Sequence, residues 1–127
     1  MSDRSVIQKL LIKEGYRIAF VNAPKGYKAR LGPLPKGVTV ASKPTPGTDL
    51  IQLFVADRKQ LEAYLPKLKP FKPTTVLWVS YLKGTSKTKT DINRDSLHAY
   101  ARSIGLEGVS LISIDDDWSA MRFKLAK

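Results

Sequence analysis

The chain has 127 residues and no cysteine, which excludes a disulfide framework, a thiolate metal site and catalysis by cysteine. Its hydrophobic fraction of 43% excludes a disordered chain and predicts one domain, residues 1–127, with a single core. The net charge of +11 favours an anionic partner, but a lysine-rich solvated surface would have the same charge. The placement of the charges along the chain must therefore decide between these two interpretations.

The start of the chain does not resemble a secretion signal, because Gln8 and Lys9 interrupt its apolar run. A helix that crosses a bilayer needs about 20 consecutive apolar residues. The sequence contains no such stretch. These two observations predict a cytoplasmic protein that does not interact with a membrane.

Apolar runs alternate with helical patterns along the chain. The runs Tyr16–Val21, Asp49–Val55 and Thr75–Tyr81 are nearly continuous, which is typical of central parallel strands covered on both faces. The remaining predicted elements are helices over Asp3–Ile12 and Lys25–Leu31, a strand over Val38–Ala41, helices that begin at Asp57 and near Asp91–Asn93, and strands over Val109–Ile114 and Trp118–Leu125.

The connections between these elements indicate the fold class. Gln60 stands three residues after Asp57, which is the spacing of a capping box at a helix start. Lys43–Thr48 contains two prolines and a glycine, so it predicts a loop. Asp115–Asp117 joins two β-rich runs, which predicts an antiparallel hairpin. The whole pattern predicts an α/β domain with a mostly parallel sheet of about six strands, a final hairpin, and helices on both faces.

Four segments carry a resemblance to known proteins. They are Tyr16–Pro24 with Gly26 and Tyr27, Leu77–Val79, Lys83–Ser86 with Thr90–Asp95, and Trp118–Phe123. In these segments the chain resembles a bacterial family of small proteins catalogued only as a domain of unknown function. Its strand order and final hairpin resemble, more distantly, the core of the Rossmann-like methyltransferases. The resemblance implies a single Rossmann-like three-layer domain, and it implies no activity.

A dinucleotide or methyl-donor site after the first strand would require glycines. The pattern Gly-x-Gly-x-x-Gly lets the backbone approach a pyrophosphate at a helix start. This chain offers the single Gly26 there, and Pro24 lacks an N–H. After the second strand, Ser42 and Lys43 stand where an acidic residue would bind the ribose hydroxyls. These residues argue against NAD and S-adenosylmethionine (SAM), and we predict no cofactor.

The loop after the fourth predicted strand is polar and basic. Its glycine lets the backbone approach an anion, its hydroxyls can donate hydrogen bonds, and the following helix presents free N–H groups. A solvent-exposed loop would have the same composition, so both interpretations stay open. The predicted anion-binding residues are Lys83, Gly84, Thr85, Ser86, Lys87 and Lys89 in this loop, with Lys25 after the first strand.

Connections that follow parallel strands meet at one edge of the sheet. Lys25, Lys43 and Lys83 each follow a different predicted strand, so we expect basic side chains to form one rim there. Tyr27 and Tyr81 lie near strand ends and are the candidates for stacking on a base. A phosphate-containing small molecule or an acidic protein is the partner that such a rim would bind.

No combination of residues predicts a catalytic or metal site. His98 is the single histidine, and Asp115–Asp117 lacks the ligand spacing of a calcium loop. We therefore predict a non-catalytic module that binds an anionic ligand or partner at the basic carboxyl edge of the sheet. Two alternatives stay open. One is a nucleic-acid-binding protein that uses the same surface without a recognisable motif, and the other is an enzyme with a degenerate nucleotide or methyl-donor site.

Overall fold

The computed structural model describes residues 6–45, 47–68, 74–83, 91–115 and 117–125. The helices are α1 Val6–Lys9, α2 Tyr27–Leu31, α3 Arg58–Tyr64 with a 3-10 helix Leu65–Leu68, and α4 Arg94–Ser103. The strands are β1 Arg17–Val21, β2 Thr39–Ala41, β3 Leu50–Val55, β4 Val76–Leu82, β5 Leu106–Ser113 and β6 Trp118–Leu125. The elements follow one another in the order predicted from the sequence.

The six strands form one sheet in the order β2-β1-β3-β4-β6-β5. Strands β1 to β4 are parallel to one another, and β6 is antiparallel to both β4 and β5. The predicted mostly parallel sheet with a final antiparallel hairpin is therefore confirmed. The chain leaves β1 for β2 on one side and then crosses back to β3 on the other side. This reversal is the point at which open α/β sheets bind ligands.

Helices cover both faces of the sheet, which explains the continuous apolar runs. All residues of β3 and of β4 are buried. On one face, Leu61 of α3 and Leu97 of α4 belong to a core cluster with Leu53 and Val79. On the other face, Leu10 and Tyr27 belong to a second cluster with Phe54. The three-layer arrangement predicted for the domain is confirmed.

The starts of α3 and α4 are fixed by local capping. Asp57 accepts a hydrogen bond from the Gln60 backbone N–H at 2.8 Å. Asn93 and Ser96 form a complete capping box, in which each side chain accepts from the other backbone N–H. The α-helix α3 ends before Pro66, which lies in the 3-10 helix and has no N–H to continue the α-helical ladder.

Helix α1 ends earlier than predicted, and the first residues of the prediction, from Asp3, lie outside the described residues. It ends at Lys9, and Leu11 follows with φ 68°, in the left-handed region. That conformation stops the helix before Ile12, the predicted end. No helix in the described ranges is both long and apolar enough to cross a membrane.

Candidate functional site

The reversal of strand order brings the carboxyl ends of β1 and β3 side by side. Asn22, directly after β1, donates from its side-chain amide to the Phe54 carbonyl of β3 at 2.8 Å. The same amide donates to Gln60 Oε1 at 3.2 Å, and Gln60 Oε1 also accepts from the Ala56 N–H at 2.7 Å. These bonds hold the two strand ends and the start of α3 in one rigid polar floor.

The turn between β1 and α2 leaves open space next to its backbone. Asn22 has φ 58° and Gly26 has φ 79°, so both lie in the left-handed region, which bends the chain sharply at the strand end. A Cβ atom added to Gly26 would meet no other atom within 4 Å. A ligand therefore has room to approach the main chain at this glycine. Lys25, between these two residues, is exposed.

An open pocket of about 560 Å³ lies at the carboxyl end of β4. It is bordered by the start of α4 and by the neighbouring strands β6 and β5. Within its wall, the Lys83 ammonium donates to Ser113 Oγ at 2.7 Å, and the Lys83 N–H donates to the Asp117 carbonyl at 2.8 Å. The pocket is lined by Tyr81, Leu82, Lys83, Asn93, Arg94, Asp95, Leu111 and Ser119.

The polar floor and the pocket belong to one continuous edge of the sheet. The backbone N–H of Arg58, the first residue of α3, donates to Asp91 Oδ1 at 2.7 Å. Asp91 lies two residues before the cap of α4, so this bond ties the loop after β3 to the helix that borders the pocket. Since β3 and β4 are neighbours in the sheet, the pocket begins one strand away from the β1–β3 junction.

Opposite charges flank the tyrosine of the pocket. Arg94 Nε lies 3.7 Å from Asp95 Oδ1, and both side chains are largely exposed. Burial raises the pKa of Tyr81, the Arg94 guanidinium lowers it by a smaller amount, and Asp95 raises it. The pKa of Tyr81 therefore lies above its ordinary value of 10.0, and the hydroxyl is protonated at neutral pH. A protonated phenol in this position can donate a hydrogen bond to a bound molecule.

We expect the free energy of unfolding to decrease as the pH rises above about 10. The unfolded chain ionises its tyrosines at the ordinary pKa, whereas Tyr81 in the folded chain holds its proton to a higher pH. The contribution of Tyr81 to stability is therefore complete at pH values below the ordinary tyrosine pKa. It is lost as the pH rises through the higher pKa of Tyr81 in the folded chain. Urea unfolding at a series of alkaline pH values measures this effect. In Tyr81→Phe the free energy of unfolding should decrease less steeply with pH than in the unsubstituted protein. Equal slopes for the two proteins would contradict the raised pKa of Tyr81.

The sequence-predicted anion residues are only partly within the described ranges. Lys25 and Lys83 lie at the same edge of the sheet, at the carboxyl ends of β1 and β4, with β3 between them. The predicted residues Gly84, Thr85, Ser86, Lys87 and Lys89 lie outside the described residues.

The two predicted stacking tyrosines lie in different surroundings. Tyr27 is only 3% exposed, and its ring makes edge contacts with Phe20 and Phe54 at centroid distances of 5.4 Å and 4.5 Å. Its hydroxyl donates to Gln52 Oε1 at 2.9 Å. A ring packed in this way offers no open face to a base, so the structure places Tyr27 in the core. Tyr81 is 6% exposed and lies in the pocket wall.

Sequence reasoning did not identify Asn22 and Gln60 as site residues, although they form the polar floor at the carboxyl ends of β1 and β3. One signal in the sequence was available: an asparagine directly follows a buried strand. Asparagine adopts the left-handed conformation more readily than most residues, so it indicates a sharp turn at the strand end. Gln60 was predicted to complete a capping box with Asp57. Instead, its side chain reaches back past the cap to the Ala56 N–H and the Asn22 amide.

No three histidine, aspartate or glutamate side chains are grouped as metal ligands anywhere in the described part of the chain. His98 is half-buried on α4, and its ring packs against Gly108 of β5. A Cβ added to Gly108 would lie 3.1 Å from the imidazole Cδ2. The glycine therefore allows the close packing of α4 on β5.

By sequence, no protein-family model and no curated protein matches the chain. By structure, it is similar to DhpI, solved in complex with S-adenosylhomocysteine (SAH), with a TM-score of 0.63 and 11% identity over 95% of this chain and 83% of DhpI. A protein in the NADB-Rossmann superfamily from Streptococcus agalactiae has a TM-score of 0.54 and 13% identity over 99% of this chain and 70% of its own. LepI, solved in complex with SAM, has a TM-score of 0.53 and 14% identity, and the match covers 94% of this chain and 39% of LepI.

These likenesses show that the chain has a Rossmann-like α/β fold. The Rossmann-like fold that the sequence resemblance implied is therefore confirmed. The resemblance to the methyltransferase core and to a bacterial family of unknown function stays a prediction.

The predicted function is wrong. The sequence indicated a non-catalytic module for an anionic ligand or partner, and DhpI and LepI, which have similar folds, were instead solved with SAH and SAM. Net charge misled the prediction, because it reports the surface as a whole and says nothing about which ligand the strand ends hold. The same finding gives no support to nucleic-acid binding.

Proposed function

We propose that this protein is an enzyme of the methyltransferase type that binds SAM at the carboxyl edge of its sheet. The observation that carries the proposal is the switch point between β1 and β3, where the strand order reverses and the two strand ends form a polar floor. The ligands of DhpI and LepI support the choice of SAM among the ligands that such a crevice accepts. A cytoplasmic location remains our prediction.

The residues at this junction suit a ligand of this kind even though the glycine pattern is incomplete. The open space at Gly26 lets a ligand approach the main chain of the β1–α2 turn. Asn22 and Asp57 place an amide and a carboxylate at the two strand ends, and such groups accept from hydroxyls and ammonium groups. SAM carries both, together with a methyl group activated by a sulfonium. Pro24 lacks an N–H, and the missing glycines limit the close approach of the backbone to a phosphate. Neither feature hinders SAM, because SAM has no phosphate.

The pocket beside β4 is the proposed place for the methyl acceptor. It begins one strand from the β1–β3 junction and is open to solvent, so an acceptor can enter without passing the methyl donor. In the proposed reaction a nucleophilic atom of the acceptor forms a bond to the methyl carbon, and the carbon–sulfur bond breaks to leave SAH. The acceptor proton is released to solvent.

We expect SAM and SAH to stabilise the protein against heat. At a ligand concentration of ten times Kd, the gain is about 1.4 kcal/mol. For a domain of this size that gain raises the unfolding temperature by roughly 5 °C. Thermal unfolding with SAM and SAH, compared with ATP and inorganic phosphate, measures the effect. Stabilisation by ATP alone or by phosphate alone would contradict the proposal, as would no shift with either S-adenosyl ligand.

Two matched glycine variants locate the site. Gly26→Ala fills the space beside the β1–α2 turn at φ 79°, and Gly15→Ala places the same methyl group into equally open space at φ 77° before β1. Both substitutions strain the backbone to a similar extent, but only Gly26 lies at the proposed site. Calorimetric titration should show SAM affinity weakened about tenfold or more in Gly26→Ala, a loss of at least 1.4 kcal/mol, and unchanged in Gly15→Ala. Equal weakening in both would place the site elsewhere.

A further inference from the structure

The pocket beside β4 contains a tyrosine whose hydroxyl has no partner. Tyr81 is 6% exposed and lines the pocket, and its hydroxyl makes no hydrogen bond to any of the described residues. Polar groups of buried side chains are nearly always hydrogen-bonded, so an exception requires an explanation. The phenol is protonated at neutral pH and is therefore a donor that a molecule bound in the pocket can satisfy.

The register of the sheet places two serines beside this tyrosine. Ser119 of β6 is paired with Tyr81, and Ser113 of β5 is paired with Ser119. Paired residues project from the same face of a sheet, and neighbouring strands are about 4.8 Å apart, so these hydroxyl-bearing side chains form a row. The Lys83 ammonium donates to Ser113 Oγ at 2.7 Å. The lysine side chain therefore extends from the end of β4 across β6 to β5, along one side of the pocket.

The two cations of the pocket are not neutralised by strong pairs. An ammonium has three N–H donors. The Lys83 ammonium uses one of them for Ser113, and no carboxylate of a described residue pairs with it. Arg94 Nε lies 3.7 Å from Asp95 Oδ1, which is too far for a hydrogen bond, and both side chains are largely exposed. Exposed pairs of this kind contribute little free energy, so both cations are available to a bound molecule.

The position of Arg94 on its helix is electrostatically unfavourable. It is the first residue of α4, and the positive end of a helix favours an acidic side chain such as the neighbouring Asp95 and repels a cation. Local choices that conflict with the fold are expected at functional sites. An anion bound between Arg94 and Lys83 would remove this conflict.

We infer that the methyl acceptor is a small molecule with a carboxylate or phosphate group, which Lys83 and Arg94 bind and to which Tyr81 donates a hydrogen bond. This inference rests on the proposed function, because it names the molecule that receives the methyl group. The pocket volume of about 560 Å³ suits a small molecule. Leu82 and Leu111 also line the pocket and offer apolar contacts to the uncharged part of the acceptor.

Titration of the isotope-labelled full chain, followed by NMR without any methyl donor, tests the class of ligand. The probes are benzoate and phenyl phosphate, with benzamide and phenol as their uncharged counterparts. We expect the anionic probes to shift the amide signals of Leu111 and Ser119 and to bind about fivefold or more tightly than the uncharged ones, because hydrogen bonds to charged groups are the stronger ones. The benzoate and phenyl phosphate titrations distinguish a carboxylate from a phosphate. Equal affinities of charged and uncharged probes would overturn the inference.

Substitutions then locate the anion. Arg94→Gln and Lys83→Gln should each weaken the binding of the anionic probe about fivefold, and Tyr81→Phe, which retains the ring, should weaken it about twofold. Arg102→Gln is the matched control, because it removes the same charge from the last turn of the same helix, outside the pocket. It should leave the affinity unchanged. Equal weakening in Arg94→Gln and Arg102→Gln would attribute binding to the overall charge and overturn the inference.

Thermal unfolding of Arg94→Gln separates a role in binding from a role in the fold. Since the cation is unfavourable at the start of α4, its removal should leave the unfolding temperature unchanged or slightly raised. A lowered unfolding temperature would show that Arg94 serves the fold instead.

SAM binding, measured on the same sample, reports separately on the proposed function. Binding of SAM without any preference for the anionic probes would overturn this inference and leave the proposed function standing. A preference for the anionic probes without binding of SAM or SAH would overturn the proposed function, and with it the role of the bound anion as methyl acceptor.

Discussion

Replacing Trp78 by alanine is expected to lower the free energy of unfolding by about 3–5 kcal/mol, the range for large aromatic residues removed from a core. Trp78 is 1% exposed in the central strand β4, and its indole N–H donates to the Leu10 carbonyl at 2.9 Å. The substitution removes both the packing of one face of the sheet and the bond that holds the segment after α1 against it. Urea unfolding followed by circular dichroism measures the loss.

Two further tryptophan variants separate the causes of that loss. Trp78→Phe retains much of the ring packing, so it should cost less than Trp78→Ala. Its remaining cost includes about 1 kcal/mol for the lost indole hydrogen bond. Trp118→Ala removes a half-buried ring and should cost less than Trp78→Ala. If Trp78→Ala cost under about 1 kcal/mol, a typical value for any substitution, the close packing of this face would be disproved.

Replacing Gln52 by leucine is expected to cost about 2–4 kcal/mol, because a buried polar group that loses its partner costs about 1–3 kcal/mol. Gln52 is fully buried in β3. It accepts from the Tyr27 hydroxyl at 2.9 Å and donates to Ser80 Oγ at 3.0 Å. Both bonds are lost together in Gln52→Leu. Urea unfolding measures the change, and SAM titration should show weaker binding because Tyr27 anchors the helix after the β1–α2 turn.

A combined variant is the control for this network. In a protein that already carries Tyr27→Phe and Ser80→Ala, the change Gln52→Leu removes the last polar group of the three. It should then cost much less than it does alone, since no partner hydroxyl of this network remains in the core. Additive costs across the three substitutions would show that these side chains are not energetically coupled.

Several features of the fold follow from local patterns in the sequence. The runs that became β3 and β4 are apolar apart from Gln52 and Ser80, which is typical of strands covered on both faces. Asp57 caps α3 as predicted, because the residue itself supplies the acceptor that the helix start lacks. The acidic connection before Trp118 forms the predicted hairpin, in which Asp115 Oδ1 accepts from the Trp118 N–H at 2.9 Å.

For the candidate site, the sequence indicated only which edge of the sheet the connections after the parallel strands share. Lys25 and Lys83 were expected at one edge because parallel strands end on the same side, and they do lie there. Gln52 and Ser80 were hidden in apolar runs, and a hydrophobic pattern carries no information about which buried polar groups find each other. The function was predicted wrongly because a high net charge is compatible with many surfaces and does not identify the ligand that the strand ends hold.

The amino-acid order by itself determined the elements, their sequence along the chain and the mixed α/β class, because caps, turns and apolar periodicity act between residues a few positions apart. Only the tertiary structure decided which strands are neighbours, and hence that the order reverses at β1 and β3 and that β5 is the last strand of the sheet. Those choices depend on contacts between residues such as Asn22 and Phe54, which lie 32 positions apart. No local pattern encodes such a distance, since the same apolar run packs equally well beside any other buried strand.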